Sequence, residues 1–472
     1  MASAGARVNR QTAKLSRIEI LLLIGSRRKP PLAIAYIHMK DAAKADSTLG
    51  LQKTLEIFGR FLDERSGTFS SLHEYELPWE SPIHVCAGEL KPEFCVAKPT
   101  GRVAISGTVC GAGTTALGAK VSCLGEAIER HSGIFRGDEP RRLARYSDLA
   151  REAIHPDSLT LFSQAQYDDR DEWNRREGRH NWVPERFDAE RRIDWTPARS
   201  LTQRAMKYLP TAYCYFGYPF DPAHDFCRPD SNGNAAGNSA DAAIVHGFLE
   251  LVERECASVW WYNRVRRPGA DIDSFGLPDA GAIRGLYRLI GRSLDVLDIT
   301  ADRNIPAFVA VSRSEEPPLE DYALGFGAHF DAHIALTKAL TEITQFLPMV
   351  MSGRDPGCFL RAERGQADLS FLAPDKQVRA TEGSDFRPLP TREPPQVALS
   401  CVELAESWGL EMLVVDQTRE DVGMPVVKVV VPGMRGWWAR FAPGRLYTLP
   451  VQFGWLAEPK TESELNLDHL IL

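Results

Sequence analysis

The chain has 472 residues, with 56 Lys and Arg against 63 Asp and Glu, which gives a formal net charge of −7. An apolar fraction of 44% and a charged fraction of 25% exclude collagen-like, coiled-coil and wholly disordered classes. A general nucleic-acid-binding protein is usually basic, so the acidic balance disfavours that class, and the length allows roughly three domains or one large mixed domain.

The first 53 residues form a basic extension. Between residues 7 and 29 seven Lys and Arg residues accompany one acid, Glu19. We interpret this segment as disordered, or as the product of a wrongly chosen start codon with Met39 as the true initiator. A targeting arm or a nucleic-acid-binding tail is the alternative. The globular domain is predicted to occupy residues 54–472.

Three amphipathic helices are predicted in this domain. Thr114 to Ser132 has helical periodicity and follows a Gly-rich turn at residues 111–114. A longer helix over residues 240–262 follows the Gly- and Asn-rich loop 231–239, and a third is predicted over residues 331–347.

Strands and loops complete the pattern. Residues 410–416 and 426–431 are apolar on both faces and are predicted to be central strands, and residues 307–311 form a further strand. Residues 156–192 are polar and are interpreted as surface loops with a polar helix, inserted into the domain. Residues 356–395, rich in charge and proline, are predicted to be a mobile loop. The mixture indicates an α+β fold.

The cysteines and the apolar runs limit where the chain can work. Nine cysteines are scattered and none forms a Cys-x-x-Cys pair, so neither a disulfide framework nor a structural zinc site is expected. Cys123 and Cys256 are predicted to be buried core residues rather than nucleophiles. The longest apolar run is much shorter than the ~20 residues of a membrane span. We expect a cytoplasmic protein that is not embedded in a membrane.

The same polar stripe occurs on all three predicted helices. Each stripe has the spacing i, i+4, i+7, which places its members on one helix face. The stripes are Ser122, Glu126, Glu129; His246, Glu250, Glu253; and Lys338, Glu342, Gln345. A solvated face would explain one such helix. Three helices with the same spacing favour a cluster of carboxylates.

Carboxylate oxygens suit Mg²⁺, which usually lies between acidic side chains and substrate phosphates. Arg130 and Arg254 would then neutralise carboxylates or bind phosphate oxygens. Asn232 and Asn238 lie in the loop before the second helix, where they act either as turn residues or as ligands for the same nucleotide. No Walker sequence occurs, and the turn at residues 111–114 is interpreted as a second place where helix N–H groups meet phosphate.

Three stretches together resemble the signatures of the YcaO family. They are Gly113-Thr-Thr followed by Ser122-Cys-Leu-Gly-Glu126-Ala-Ile-Glu129-Arg130; Asn232-Gly-Asn-Ala-Ala-Gly-Asn238 followed by His246-Gly-Phe-Leu-Glu250-Leu-Val-Glu253-Arg254; and Gly325-Phe-Gly-Ala-His followed by Glu342-Ile-Thr-Gln345. Residues 440–447, Arg-Phe-Ala-Pro-Gly-Arg-Leu-Tyr, resemble the C-terminal part of the members that modify ribosomal peptides. The similarity covers roughly residues 54–472.

The resemblance implies a YcaO-type fold of mixed sheets packed by helices, with an ATP site that has no Walker loop. It also implies an ATP- and Mg²⁺-dependent cyclodehydratase that makes thiazoline or oxazoline rings from Cys, Ser or Thr of a precursor peptide. The implied Mg²⁺ ligands are Glu126, Glu129, Glu250, Glu253 and Glu342. The implied ATP contacts are Ser122, Asn238, Arg254 and Gln345, and we assign Arg130, Asn232 and Lys338 to the same nucleotide site.

This chain departs from the family pattern at three places. Ala112 replaces a frequent Lys, Lys338 replaces a frequent Arg, and no proline follows Pro459 where azoline-forming members have a proline-rich tail. In the family the tail reaches the ATP site, so the resemblance implies a catalytic role for the terminal carboxylate of Leu472 and for His469. Apolar side chains are expected to anchor the tail in place of proline, namely those of Leu465, Leu467, Leu470, Ile471 and Leu472.

The resemblance also implies partners, and alternatives stay open. A ribosomal precursor peptide, a separate E1-like protein that binds its leader, a flavin dehydrogenase in the same complex and a homodimer are expected, with no nucleic acid. A YcaO enzyme that makes a thioamide or macroamidine is one alternative, and a non-catalytic scaffold that binds nucleotide or peptide is another.

Overall fold

The structure, a computed structural model, describes residues 48–63, 67–75, 77, 81–91, 107–176, 181–219, 221, 224–302, 305–314, 319–348, 359–363, 368–387, 393–468 and 470. Most of the predicted basic extension and the tail residues His469 and Leu472 lie outside this set. Inside it, no helix is long and apolar enough to cross a membrane.

Helices and strands are mixed along the chain, which confirms the α+β class. The strands are β1 (Phe69–Tyr75), β2 (His84–Leu90), β3 (Thr108–Gly113), β4 (Arg142–Ala144), β5 (Ile193–Ser200), β6 (Ala205–Pro210), β7 (Asn234–Ala236), β8 (Arg292–Asp298), β9 (Ala307–Ser314), β10 (Leu319–Ala328), β11 (Phe359–Glu363), β12 (Leu413–Asp416) and β13 (Val426–Val430). The helices are α1 (Thr48–Phe58), α2 (Ala116–Ser132), α3 (Tyr146–Leu149), α4 (Asp157–Thr160), α5 (Gln164–Asp168), α6 (Arg170–Arg176), α7 (Thr211–Cys214), α8 (Ala240–Asn263), α9 (Ala280–Leu289), α10 (Ala332–Gln345), α11 (Pro394–Ser407) and α12 (Arg445–Gln452).

The described strands pair antiparallel in three sheets. Their orders are β1-β2-β3, β11-β10-β9-β8 and β4-β5-β12-β13-β7, with β6 beside β5. β13 lies between β12 and β7 and every one of its residues is buried, so the prediction of a central strand at residues 426–431 is confirmed.

The three predicted striped helices are α2, α8 and α10. Each begins at a polar cap, Thr115, Ser239 or Asp331, whose side chain accepts a hydrogen bond from a backbone N–H two or three residues later. Such caps satisfy N–H groups that have no partner in the first turn, and this is why each helix starts where the sequence indicated.

Helix α8 is the centre of the molecule. It packs against β13 and β7 of one sheet and against β9 and β10 of another. Its C-terminal half buries Trp260, Trp261 and Tyr262, each at most 1% exposed. Helix α2 also contacts β7 and β13, and α10 contacts β3. The packing therefore brings the three striped helices together between the sheets.

Glycines in two strands allow this close packing. A Cβ on Gly111 of β3 would lie 2.2 Å from the backbone nitrogen of Cys123, and one on Gly325 of β10 would lie 2.3 Å from that of Ile343. No other residue fits at such separations. The predicted Gly-rich turn at residues 111–114 is therefore wrong, because residues 111–113 belong to β3 and Gly111 serves strand–helix packing.

The polar segment 156–192 holds three short helices, α4 to α6, rather than one polar helix. Phe162, Trp173 and Val183 are buried and anchor the segment to the core. A capping box at Ser163 starts α5. A few buried apolar residues hold this segment against the core. The polar average composition of the segment did not reveal them.

The prediction of a mobile loop over residues 356–395 is wrong for residues 368–387. Phe371 and Leu372 are 1% and 2% exposed, and the Phe371 ring lies 5.4 Å from that of Trp260 and 5.5 Å from that of Trp261. Two aromatic contacts and buried apolar area outweigh the local charge and proline content.

Helix α1 crosses the boundary that we predicted between residues 53 and 54. It packs against α2, and Phe58 at its end is 5% exposed in the core beneath the β1-β2-β3 sheet. The domain therefore includes residues from Thr48 onward, because this helix is part of its hydrophobic core.

Candidate active site

Five glutamates from three helices face one another. Burial, with repulsion from Glu250 and Glu126, raises the pKa of Glu129 well above its usual range. Burial, with repulsion from Glu253, raises the pKa of Glu250 to about 7 and that of Glu342 to about 8. Repulsion links Glu129 of α2 to Glu250 of α8 and Glu342 of α10 to Glu253 of α8. Lys338 of α10 also lies 3.5 Å from Glu253. The stripes of α2, α8 and α10 therefore meet, as the sequence predicted.

Two of these carboxylates pair with an arginine one helical turn later. Glu126 lies 2.6 Å from Arg130, and Glu250 forms an ion pair with Arg254. Glu126 also accepts a hydrogen bond of 2.7 Å from the backbone N–H of Cys110. The two E-x-x-E-R motifs thus have the same local structure, in which the arginine holds the first glutamate of each pair.

The other side of the cluster is held by strand β10. The Glu342 carboxylate accepts a hydrogen bond from the N–H of Phe326, and that of Glu253 accepts one of 2.9 Å from the N–H of Ala328. Lys338 Nζ lies 3.5 Å from Glu253. These bonds orient the carboxylates without neutralising the whole set.

Arg254 connects the cluster to the Asn-rich loop. Its guanidinium donates a hydrogen bond to the Asn232 side-chain oxygen, lies 3.5 Å from the Ser231 hydroxyl and packs over the Trp437 ring at 5.4 Å. Asn232 is 8% exposed. The structure therefore brings Asn232 and Arg254 together, as the assignment of both to one site requires.

Lys428 holds the Asn-rich loop in place through hydrogen bonds. This role was not predicted. It is fully buried in β13, and its ammonium donates to the backbone oxygens of Asp230 (2.7 Å) and Asn232 (3.1 Å) and to the Asn234 side chain (3.1 Å). A buried ammonium requires such acceptors. The sequence signal was a single Lys inside the apolar run Val-Val-Lys-Val-Val.

The remaining predicted nucleotide contacts occupy the edges of the site. Ser122 on α2, Asn238 just before the α8 cap and Lys338 on α10 are exposed, and Gln345 in the last turn of α10 is half-buried. Their contacts with nucleotide stay predictions. His469 and Leu472 lie outside the described residues, so the catalytic assignment of the tail stays a prediction as well.

The C-terminal motif is tied to α8 by an ion pair. Arg445 donates two hydrogen bonds, of 2.8 and 2.5 Å, to the carboxylate of Glu255, which is 3% exposed. Two parallel bonds to a carboxylate need the guanidinium fork, so lysine is a poor substitute here. Glu255 and Arg445 thus form a structural ion pair, separate from the stripe of α8, and this pair was not predicted.

The tail follows the end of α8. The N–H of Asn466 donates to the backbone oxygen of Tyr262, and the Trp261 indole donates to that of Asp468, both at 2.7 Å. Leu465 and Leu470 are 4% and 3% exposed, whereas Leu467 is 44% exposed. The expectation of apolar anchors is thus confirmed for Leu465 and Leu470 and wrong for Leu467.

The donor set fits Mg²⁺ chemically. All five carboxylates are hard oxygen donors, and the raised pKa values record repulsion that a divalent cation would relieve. Among the described residues, however, no three His, Cys, Asp or Glu side chains lie close enough to bind an ion in their present positions. Glu126 and Glu250 are held by arginines, and Glu253 and Glu342 by backbone N–H groups, so these partners compete with an ion.

The two cysteines beside the stripes are part of the core. Cys123 and Cys256 are 0% and 2% exposed. A hydrogen bond with Cys86, together with burial, raises the pKa of the Cys123 thiol, and burial raises that of Cys256. Neither thiol is therefore available as a thiolate, and the prediction of core residues is confirmed.

A family model described as "YcaO cyclodehydratase, ATP- and Mg2+-binding" matches residues 110–435, more than half of the chain. The chain belongs to the YcaO family. The matched region contains all the carboxylates of the cluster, and this confirms the resemblance.

Solved heterocyclases share this fold. A heterocyclase in complex with substrate and cofactor is 40% identical, with a TM-score of 0.82 over 89% of this chain and 57% of its own. The heterocyclase TruD is 46% identical, with a TM-score of 0.68 over 74% of this chain and 50% of its own. The chain thus spans about half the length of these two heterocyclases.

One curated relative of uncharacterised function is named by its position near tfuA. An uncharacterised protein in the tfuA 3′ region of Rhizobium leguminosarum bv. trifolii is 28% identical over 43% of this chain and 52% of its own.

Proposed function

We propose that this protein is an ATP- and Mg²⁺-dependent cyclodehydratase that forms thiazoline or oxazoline rings in a ribosomally made precursor peptide. The observation that supports this most is the cluster of five carboxylates beside Arg254 and Lys338, in which Glu129, Glu250 and Glu342 have raised pKa values. Phosphoryl transfer needs such a site, since its catalysis consists largely of positioning and charge stabilisation. The similarity to two heterocyclases supports the proposed reaction class.

The proposed reaction consumes one ATP for each ring that it forms. A Cys, Ser or Thr side chain attacks the preceding backbone carbonyl and forms a cyclic adduct whose oxygen takes the γ-phosphoryl group of ATP. The ring nitrogen then loses its proton as phosphate leaves with the former carbonyl oxygen. ATP becomes ADP and phosphate, and the peptide loses one water. Phosphorylation is needed because an amide oxygen is by itself a poor leaving group.

The chain's own side chains have defined tasks in this scheme. Arg254 and Lys338 would contact phosphate oxygens, together with Arg130, Ser122, Asn238 and Gln345 at the edges of the site. The five glutamates would hold Mg²⁺, which neutralises phosphate charge when bound. Glu250 and Glu342 must lose their protons before binding it, so binding releases protons near neutral pH.

The tail would supply the proton acceptor. Asn466 and Asp468 are fixed to the end of α8, and Leu470 is buried. We assign the Leu472 carboxylate and His469 to accepting or orienting the proton that leaves the peptide. The unperturbed imidazole pKa of ~6.5 suits this role.

The expected partners are the precursor peptide and a separate E1-like protein that binds its leader. A flavin dehydrogenase in the same complex would oxidise the azoline rings. A homodimer remains our expectation for the assembly, with the cytoplasm as the compartment.

Mass spectrometry tests the reaction class. The protein, with its E1-like partner, is incubated with Mg²⁺, ATP and a candidate Cys-rich precursor, and a loss of one water per modified residue is expected. A parallel sample with a non-hydrolysable ATP analogue should show no mass change. Unchanged peptide in the complete mixture, with its leader bound, would refute the cyclodehydratase assignment.

Thioamide formation is the second candidate, and the relative in the tfuA 3′ region favours it. The same ATP site would activate the same amide oxygen, but a sulfide donor would replace the ring-forming side chain. The spectrum distinguishes the two reactions, because exchange of oxygen for sulfur increases the peptide mass whereas cyclodehydration decreases it.

A further inference from the structure

A cleft of about 210 Å³ is lined in part by Asn232, which contacts Arg254 beside the carboxylate cluster. One wall comes from residues 158–162 and from Trp182 and Pro184 of the segment that the sequence marked as a polar insertion. The adjoining wall comes from residues 429–436, at and after the end of β13, with Trp438 and Arg440. The insertion thus builds one side of a concave surface, and its residues 158–162, Trp182 and Pro184 belong neither to the family signatures nor to the proposed nucleotide site.

The lining combines aromatic rings with guanidinium groups. Arg440 lies 4.0 Å from the centre of the Phe162 ring, and Arg228 lies 5.1 Å from that of Trp182. Burial, with a smaller contribution from the positive charge of Arg228, lowers the pKa of Arg440 to about 10. Stacked in this way, both present cations along one apolar trough.

The charge of the lining is positive. Its charged residues are Arg228, Arg435, Arg440 and one acid, Asp230, whose carboxylate lies 3.4 Å from the buried ammonium of Lys428. Charges of one sign in a cleft with low-dielectric walls attract a ligand of the opposite sign.

The cleft shares a wall with the nucleotide site. Ser231 and Asn232 line it, and both face the guanidinium of Arg254, which pairs with Glu250 of the cluster. Leu251 lines it from α8, one turn before Arg254. A ligand in the cleft therefore lies one side chain away from the proposed phosphate contacts.

Backbone strain is found in the same place. Leu161 has a φ of 56°, in the left-handed region that non-glycine residues rarely adopt. Its carbonyl accepts a bond of 2.9 Å from the N–H of Ala442. Such strain persists where the surroundings enforce it, and it concentrates at ligand-binding walls.

We propose that this cleft binds the acceptor peptide as an extended segment, with an acidic side chain between Arg228 and Arg440. The aromatic walls accept the apolar parts of the peptide, the guanidiniums select its carboxylate, and the shared Asn232 places the neighbouring residue beside the phosphate donor. The inference rests on the proposed function and adds the charge class of the substrate to it.

Binding of short synthetic peptides tests the inference directly. The probes are fluorescein-labelled Glu-Gly-Ser-Gly-Glu and its counterpart Lys-Gly-Ser-Gly-Lys, titrated by fluorescence anisotropy with the full chain and, separately, in the presence of a non-hydrolysable ATP analogue. The wild type should bind the acidic probe about tenfold more tightly than the basic one, an effect typical of charge complementarity at a partly exposed site.

Variants assign this preference to the cleft. Arg228→Gln should reduce the preference to about threefold or less, and Arg228→Lys should retain most of it because the charge remains. Arg175→Gln, an exposed arginine on α6, is the matched control and should behave as the wild type. Arg228 pairs with Asp225, so circular dichroism must show that each variant is folded.

The results of these measurements distinguish a failure of the cleft inference from a failure of the proposed function. Equal binding of both probes by the wild type, or an unchanged preference in folded Arg228→Gln, overturns the inference. Weaker binding of the ATP analogue in place of the peptide by Arg228→Gln also overturns it, since the cleft would then be part of the nucleotide site. An acidic preference that depends on Arg228 supports the cleft even if no precursor is dehydrated, in which case only the proposed function fails.

Discussion

The two sides of Asn232 differ in charge. On the side of α2, α8 and α10, five glutamates face one another, and Arg130, Arg254 and Lys338 form ion pairs with members of that set. On the side of the cleft, three arginines accompany one aspartate. The first surface is suited to a cation that carries phosphate, and the second to an anionic chain.

Arg254 lies at the boundary between these surfaces. It pairs with Glu250 on one side and donates to Asn232 on the other, and Trp437 lies beneath it. The difference teaches that a single helix, α8, can separate two opposite electrostatic environments while one side chain contacts both. Substitutions in the carboxylate cluster, in the cleft and at Arg254 should therefore affect ATP turnover, ATP affinity and peptide affinity differently.

The largest effect is expected on the acidic side. Glu253→Gln keeps the hydrogen bond from the N–H of Ala328 but removes one of the charges proposed to hold Mg²⁺. Loss of one such charge should reduce peptide-dependent ATP turnover about 100-fold or more. Phosphate release measures turnover, and thermal unfolding checks the fold.

Glu403→Gln on α11, an exposed glutamate outside the cluster, is the control for this variant. Turnover by Glu253→Gln at the rate of this control would show that the carboxylate cluster is not the catalytic site.

An intermediate effect is expected at the boundary. Arg254→Lys keeps the charge beside Glu250 but loses the fork that reaches Asn232 and packs on Trp437. Affinity for ATP should fall about tenfold, and the acidic peptide should bind less tightly as well, because Asn232 is no longer held. Isothermal titration measures both affinities.

The corresponding change at the other E-x-x-E-R motif, Arg130→Lys, is the comparison. It should affect ATP alone, since Arg130 contacts Glu126 and the backbone of Thr108 rather than the Asn-rich loop. Equal effects of both variants on the peptide would argue against a boundary role that is specific to Arg254.

The smallest effect concerns stability. The folded-state pKa of Glu342 is raised from its ordinary value of 4.5 to about 8, so between these values the native state holds more protons than the unfolded state. The free energy of unfolding without ligands should therefore fall as the pH rises from 5 to 8. Glu342→Gln cannot ionise, so it should not lose this stability as the pH rises. Its Tm at pH 8 should exceed that of the wild type by about 2 °C or more.

Thermal unfolding across this pH range, without nucleotide or metal, measures the difference. The Glu403→Gln control should keep the wild-type slope. If Tm depends on pH in the same way for the wild type and for Glu342→Gln, the pKa of Glu342 in the folded protein is not raised, and this prediction is wrong.

Much of the site was predictable because the determining contacts are local. The spacing of Glu126 and Glu129, and of Glu250 and Glu253, places each pair on one helix face, and capping residues such as Ser239 mark where a helix begins. The errors came from local composition. Gly111 suggested a turn but lies in a strand, and the charged residues around Phe371 concealed two apolar anchors.

The sequence by itself determined the α+β class, the three striped helices and the family, since helical periodicity and signature motifs depend on residues a few positions apart. Only the tertiary structure decided that the stripes meet, that Lys428 supports the Asn-rich loop, and that residues 158–162 and 429–436 form a cationic cleft. The physical reason is that these features are contacts between segments far apart in the chain. Their burial and electrostatic coupling, including the raised pKa values of Glu250 and Glu342, exist only after the sheets pack around α8.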